Sequence, residues 1–219
     1  MQHMRVLVTA GPTYEPLDPV RFIGNHSTGK MGYALAETFA AAGADVTLVS
    51  GPTSLPNPGH PRIHTQRVQT ADEMYAAAAA VAGTADVWVF AAAVADYKPA
   101  HVAPEKIKKA GDTLTLELVK NVDIAATLGK TKRPEQFSVG FALETTNEEA
   151  HALDKLQRKN FDLVVLNSLR DAGAGFRHDT NKVTLLEAGG QMTTFELKPK
   201  ADVARDIVQT IFARLSRHA

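Results

Sequence analysis

Short, nearly unbroken apolar runs recur along this chain: RVLVTA (Arg5–Ala10), DVTLVS (Asp45–Ser50), DVWVFAA (Asp86–Ala92), FSVGFAL (Phe137–Leu143) and DLVVL (Asp162–Leu166). Continuous rather than alternating hydrophobicity means that each strand is covered on both faces. Ile63 to Val68 supplies a further strand. Helical patterns separate the runs. Tyr33 to Ala42 closes on Gly43, and Thr70 with Glu73 forms a capping box for a helix to Val81. Glu148 to Lys159 is another helix, and Ala201 to Arg217 closes the chain. Strands alternating with helices connect by right-handed crossovers, which predicts an α/β fold: a doubly wound, mostly parallel sheet of Rossmann-like type. The length suits a single domain from residue 4 to 219, with Met1 to His3 as a cloning remnant.

Two pieces stand outside that alternation. Thr113 to Val119 (TLTLELV) alternates strictly, as a half-exposed antiparallel strand does. Lys182 to Glu187 and Gln191 to Leu197 flank Ala188-Gly189-Gly190 and read as a hairpin. Both are expected to form an added antiparallel element that joins subunits.

Lys plus Arg and Asp plus Glu number 24 each, so bulk charge offers nothing to nucleic acid or an anionic membrane. Any anion site must be local. The chain has no cysteine, which removes disulfides and thiolate chemistry and suits the cytoplasm. No apolar run approaches the roughly 20 residues of a membrane span, and the N-terminus shows no secretory signal. Asp18, Glu105 and Glu144 are scattered, so a wholly protein-bound metal is not expected.

The segment GNHSTGKM (Gly24–Met31) comes within one residue of a P-loop, but Met31 occupies the place of the metal-binding hydroxyl. A G-x-G-x-x-G fingerprint is also missing, since Gly11 is followed by Pro12 and Thr13. Gly29 and Gly32 still let backbone approach an anion at a helix N-terminus. The loop AAAVADYKPAHVAPEKIKK (Ala91–Lys109) follows a strand, where open α/β sheets bind ligands. Its small residues admit a flat base, and Lys106, Lys108 and Lys109 suit a polyphosphate. Asp96 has the chemistry for a ribose or a metal, and Lys155 and Lys159 share one helical face.

Together, VTAGPTYEPLDPVRFIGNHSTGKMG (Val8–Gly32), AAAVADYKP (Ala91–Pro99), APEKIKK (Ala103–Lys109), VGFALET (Val139–Thr145) and KLQRKNFDLVVLN (Lys155–Asn167) resemble the phosphopantothenoylcysteine synthetase family. The resemblance implies a ligase that joins 4′-phosphopantothenate to L-cysteine, using CTP with magnesium in the bacterial form. It implies that Asn25 holds the acyl-cytidylate, and that Lys106 sits on a flap closing over the site. Gly11, Ala92, Ala93, Asp96, Phe141, Lys155 and Lys159 would contact the nucleotide, with Asp96 the one candidate for the metal. Arg21, Asn25, His26, Ser27, Gly29 and Lys30 would address phosphopantothenate. A homodimer is implied, with Arg21 reaching across its interface. The family often carries a flavin-dependent decarboxylase half; this chain shows none, so no FMN is expected in it. An oxidoreductase of Rossmann type and a non-catalytic nucleotide-binding module are the competing readings.

Overall fold

The computed structural model describes residues 4–109, 111–144, 148–168 and 178–218. The first half comprises β1 (Arg5–Ala10), β2 (Tyr14–Pro16), β3 (Phe22–Gly24), α1 (Lys30–Ala41), β4 (Asp45–Ser50), β5 (Ile63–Arg67) and α2 (Ala71–Ala82). Then follow β6 (Val87–Phe90), β7 (Tyr97–Pro99), β8 (Leu118–Lys120), α3 (Ile124–Gly129), β9 (Phe137–Glu144), α4 (Glu148–Arg158) and β10 (Leu163–Ser168). The last part holds β11 (Thr180–Asn181), β12 (Val183–Glu187), β13 (Met192–Thr194), β14 (Lys198–Pro199) and α5 (Lys200–His218).

The central sheet has the order β13-β12-β10-β9-β6-β1-β4-β5. From β5 to β10 every pairing is parallel, while β12 and β13 continue the sheet antiparallel. The parallel part is the doubly wound order 3-2-1-4-5-6, with its switch point between β1 and β6. Period-two geometry divides the strand residues between two layers. Val6 and Val8 pack with Leu35 and Phe39 of α1 and with Ile207 and Ile211 of α5. On the other face Leu7 and Trp88 meet Met74 of α2 and Leu128 of α3, while Val164 and Leu166 meet Leu156 of α4.

Local signals held where they had a mechanism. Thr70 Oγ1 accepts the Glu73 N–H (3.2 Å) and Glu73 returns a carboxylate to the Thr70 N–H (3.3 Å). Helix α1 starts at Lys30, three residues ahead of the expected Tyr33, because Gly29 at φ +81° turns the chain directly into it.

The expected strand from Thr113 to Val119 is corrected. Of it, only Leu118 and Val119 belong to a strand, β8 against β7, with the Glu117 carbonyl accepting the Ala100 N–H beyond the strand's end, and residues 113 to 120 are all exposed. Alternation makes a strand only where a layer covers its apolar face, and nothing covers this one. The Lys182 hairpin is also relocated. Strand β12 lies inside the sheet, paired to β10 and to β13, so the hairpin extends the central sheet and leaves β13 at its edge. The β2–β3 hairpin, stapled by stacked Tyr14 and Phe22 rings 3.8 Å apart, falls between β1 and α1, where no strand was expected.

Candidate active site

A cavity of about 450 Å³ opens at the carboxyl ends of β1, β6, β9 and β10, across the switch point. Asn25, Ser27, Gly29 and Lys30 reach it from the segment joining β3 to α1. No side chain caps the first turn of α1, so its orphan N–H groups remain at the cavity's edge. The chain leaves β6 at Phe90, and Ala91 to Asp96 form another wall. That wall is pinned to the loop after β1. The Ala93 N–H donates to the Gly11 carbonyl (2.9 Å), and the Ala95 N–H donates to Thr13 Oγ1 (3.0 Å). Gly11 therefore shapes this wall from behind and does not line the cavity itself.

Phe141 lines the cavity from β9, and its carbonyl accepts from Lys155 Nζ at 3.3 Å. Lys159 Nζ donates to Asp123 Oδ1 at 2.9 Å. Burial works against the charge of Asp123, but the Lys159 ammonium and the Ala126 N–H outweigh it and hold the carboxyl below its ordinary range. At another part of the wall, Lys30 Nζ pairs with Asp179 Oδ1 at 2.5 Å. Lys200 is buried there, and burial together with Lys30 pushes its ammonium pKa down, against the pull of Asp179. The lining thus combines four lysines with backbone amides and small apolar residues, suited to an elongated polyanion bearing a flat ring.

Of the residues expected from the sequence, Asn25, Ser27, Gly29, Lys30, Ala92, Ala93, Asp96, Phe141, Lys155 and Lys159 line this one cavity. Arg21, His26 and Lys106 do not. Arg21 is instead engaged with Asp18 and with the Ile107 carbonyl. Asn121, Asp123, Asn167, Asn181 and Lys200 also line it and were not anticipated. Asp123 carried a signal, since it N-caps α3 by accepting the Ala126 N–H, and an Asp before an apolar run marks such a cap. Asn181 donates to Asn167 Oδ1 (2.9 Å) only because β11 returns beside the end of β10, which no local pattern announces.

Fold and cavity define an α/β domain of Rossmann-like topology with a cationic ligand site at its switch point. The chain belongs to the family described as the DNA/pantothenate metabolism flavoprotein C-terminal domain, which matches residues 1–215. It is 48% identical over 207 residues to a "Cysteine/Cysteine sulfinic acid decarboxylase" from an unknown prokaryotic organism, over 94% of this chain and 57% of that protein. To the coenzyme A biosynthesis bifunctional protein CoaBC of Escherichia coli (strain K12) it is 49% identical over 193 residues, 87% of this chain and 47% of that protein. Among solved structures, the C-terminal domain of a CoaBC protein superposes with a TM-score of 0.84 at 41% identity, covering 99% of this chain and 100% of that one. The chain spans about half the length of the curated relatives it matches. Among the described residues no helix is long and apolar enough to cross a membrane, and no three metal-ligating side chains cluster.

Proposed function

We propose that this chain is a phosphopantothenate–cysteine ligase, activating 4′-phosphopantothenate with CTP and passing the acyl group to L-cysteine. The observation that carries the reading is the convergence of the Asn25–Lys30 segment with Ala92, Ala93, Phe141, Lys155 and Lys159 around one cavity. Membership of the pantothenate-metabolism family and likeness to a CoaBC C-terminal domain support it.

In the first step the substrate carboxylate attacks the α-phosphorus of CTP; the bond to the β-phosphate breaks and pyrophosphate leaves. Two anions approach each other here, so fixed cations and amide dipoles aimed at the phosphates do most of the work. Lys155, Lys159, Lys30 and the uncapped turn of α1 fill that role, with Ala92 and Ala93 allowing the base to lie close. In the second step the cysteine amine attacks the acyl carbonyl, CMP leaves and the amine loses a proton. The Asn25 amide is assigned to the carbonyl oxygen, and Lys106 to a flap that shields the mixed anhydride from water. Magnesium would enter on the nucleotide phosphates, with Asp96 of the cavity lining as the carboxylate to hold it, and would supply charge screening. His26 and Ser27 are assigned to phosphopantothenate, and Arg21, through its exposed portion, to the same substrate across a subunit boundary.

The reading predicts pyrophosphate release that needs 4′-phosphopantothenate and CTP. Multiple turnovers are expected with cysteine, and at most about one per site without it. Release without phosphopantothenate would point to a plain triphosphatase and defeat the reading. Bound flavin or nicotinamide would revive the oxidoreductase.

The homodimer proposed here uses the small sheets beside the cavity rather than the β12–β13 hairpin. Phe22, Tyr97, Leu118 and Val119 are exposed on β3, β7 and β8, where β2 and β7 adjoin. Exposed large apolar side chains gathered on adjoining small sheets fit a protein interface. Leu118→Arg is expected to shift the chain from dimer to monomer in sedimentation velocity, and an unchanged sedimentation coefficient would refute this interface. In the longer relatives a flavin-dependent decarboxylase region is the proposed covalent partner.

A further inference from the structure

Asp18 lies in the turn of the β2–β3 hairpin, and its side chain has no solvent exposure. Five donors converge on that single carboxylate. Oδ1 accepts the N–H groups of Val20 and Arg21, both at 2.8 Å, which closes the hairpin turn. Oδ2 accepts Arg21 Nε at 3.0 Å, Arg21 Nη2 at 2.5 Å and the Ile107 N–H at 3.1 Å. Arg21 Nη2 also donates to the Ile107 carbonyl at 2.9 Å, and the Ala103 N–H donates to the Leu17 carbonyl at 2.9 Å. The loop bearing Lys106 is therefore held at both ends by one hairpin turn. The same hairpin delivers Asn25 to the cavity one residue after β3.

We infer that Asp18 is a positioning residue that anchors the Lys106 loop and fixes it relative to Asn25. A buried carboxylate costs several kcal/mol unless fully paired, and a simple hairpin turn needs only the Oδ1 half of these bonds. The Oδ2 half instead takes the Arg21 guanidinium and the Ile107 N–H. It binds a segment nearly ninety residues away, and the Arg21 guanidinium, followed by the converging amides, holds this carboxyl far below the ordinary range. The clamp is also local to the loop's base: Lys106 itself is exposed beside the anchored Ile107.

The catalytic part of this inference rests on the ligase reading; the anchoring part does not. Asp18→Asn separates the two halves of the site. One oxygen remains for the Val20 and Arg21 amides, but an NH₂ group placed at Oδ2 meets three donors and releases the loop. Tryptic cleavage after Lys106, Lys108 and Lys109, followed by mass spectrometry, is expected to be at least about tenfold faster than in the parent chain. Pyrophosphate release is expected to fall about tenfold in kcat. Because Asp18 acts through Lys106, the double variant Asp18→Asn/Lys106→Gln should be no slower than Lys106→Gln alone. Unchanged cleavage overturns the anchor whatever the activity. Faster cleavage with fully additive losses in the double variant overturns the link to Lys106. If Asp18→Asn does not fold, Asp18→Ser, whose hydroxyl still serves the turn amides, is read in the same way.

Discussion

Asn25→Asp is expected to lower the steady-state rate of cysteine ligation by about a hundredfold or more while leaving up to one pyrophosphate released per site. The change is nearly isosteric, so packing around this exposed residue is preserved. Its chemistry is reversed. The amide N–H proposed to serve the acyl carbonyl becomes a carboxylate oxygen, which offers no hydrogen bond to the oxygen that gains charge as the amine adds. Loss of one such donor costs roughly 10²–10³ in rate, and the new negative charge beside a developing oxyanion adds to that loss. The acyl-nucleotide should therefore accumulate, visible by mass spectrometry of quenched enzyme. Asn25→Ala, which removes the donor without adding charge, should retain more activity than Asn25→Asp. If Asn25→Asp turns over at the parent rate, the assignment of Asn25 to the carbonyl is wrong.

The parallel sheet was legible because each of its inner strands is buried on both faces, and such strands announce themselves as unbroken apolar runs. Val87, Trp88 and Val89 are at most 1% exposed, in the middle of the run that predicted them. The cavity was legible where a short segment carries the chemistry by itself, as in Asn25 to Lys30. Lys155 and Lys159 were ambiguous in isolation, since an i, i+4 lysine pair is ordinarily surface; the Phe141 carbonyl and Asp123 draw this pair onto the cavity instead. The rest depended on distant encounters. The β2–β3 turn is organised by an aspartate that also grips Ile107, and neither partner is visible from the other in sequence. Thr113 to Val119 misled for the opposite reason: its alternation is real, but no layer of this chain covers it.

Gly51→Ala is expected to destabilise the domain by about 3 kcal/mol or more, at the upper end of overpacking effects, and to disable the cavity in whatever fraction stays folded. A Cβ on Gly51 would lie 1.7 Å from the Pro12 carbonyl oxygen, a backbone atom that cannot rotate away. Pro12 forms a parallel bridge to Ala93, and Gly11 and Thr13 on either side hydrogen-bond to the Ala93 backbone. Moving Pro12 therefore moves the wall on which the base is proposed to lie. Gly51 itself is held by its N–H on the Ala10 carbonyl at 2.9 Å, so the strain cannot be relieved by shifting β4. For a chain of this size each kcal/mol shifts Tm by roughly 2–4 °C, so thermal unfolding should fall by about 6–12 °C. Ala93→Val, by contrast, enlarges a residue that already faces the cavity and should raise KM for the nucleotide with little change in Tm. A Gly51→Ala protein that melts within a degree or two of the parent would mean that the loop after β1 yields freely, and that the Ala92–Ala93 wall is not fixed by it.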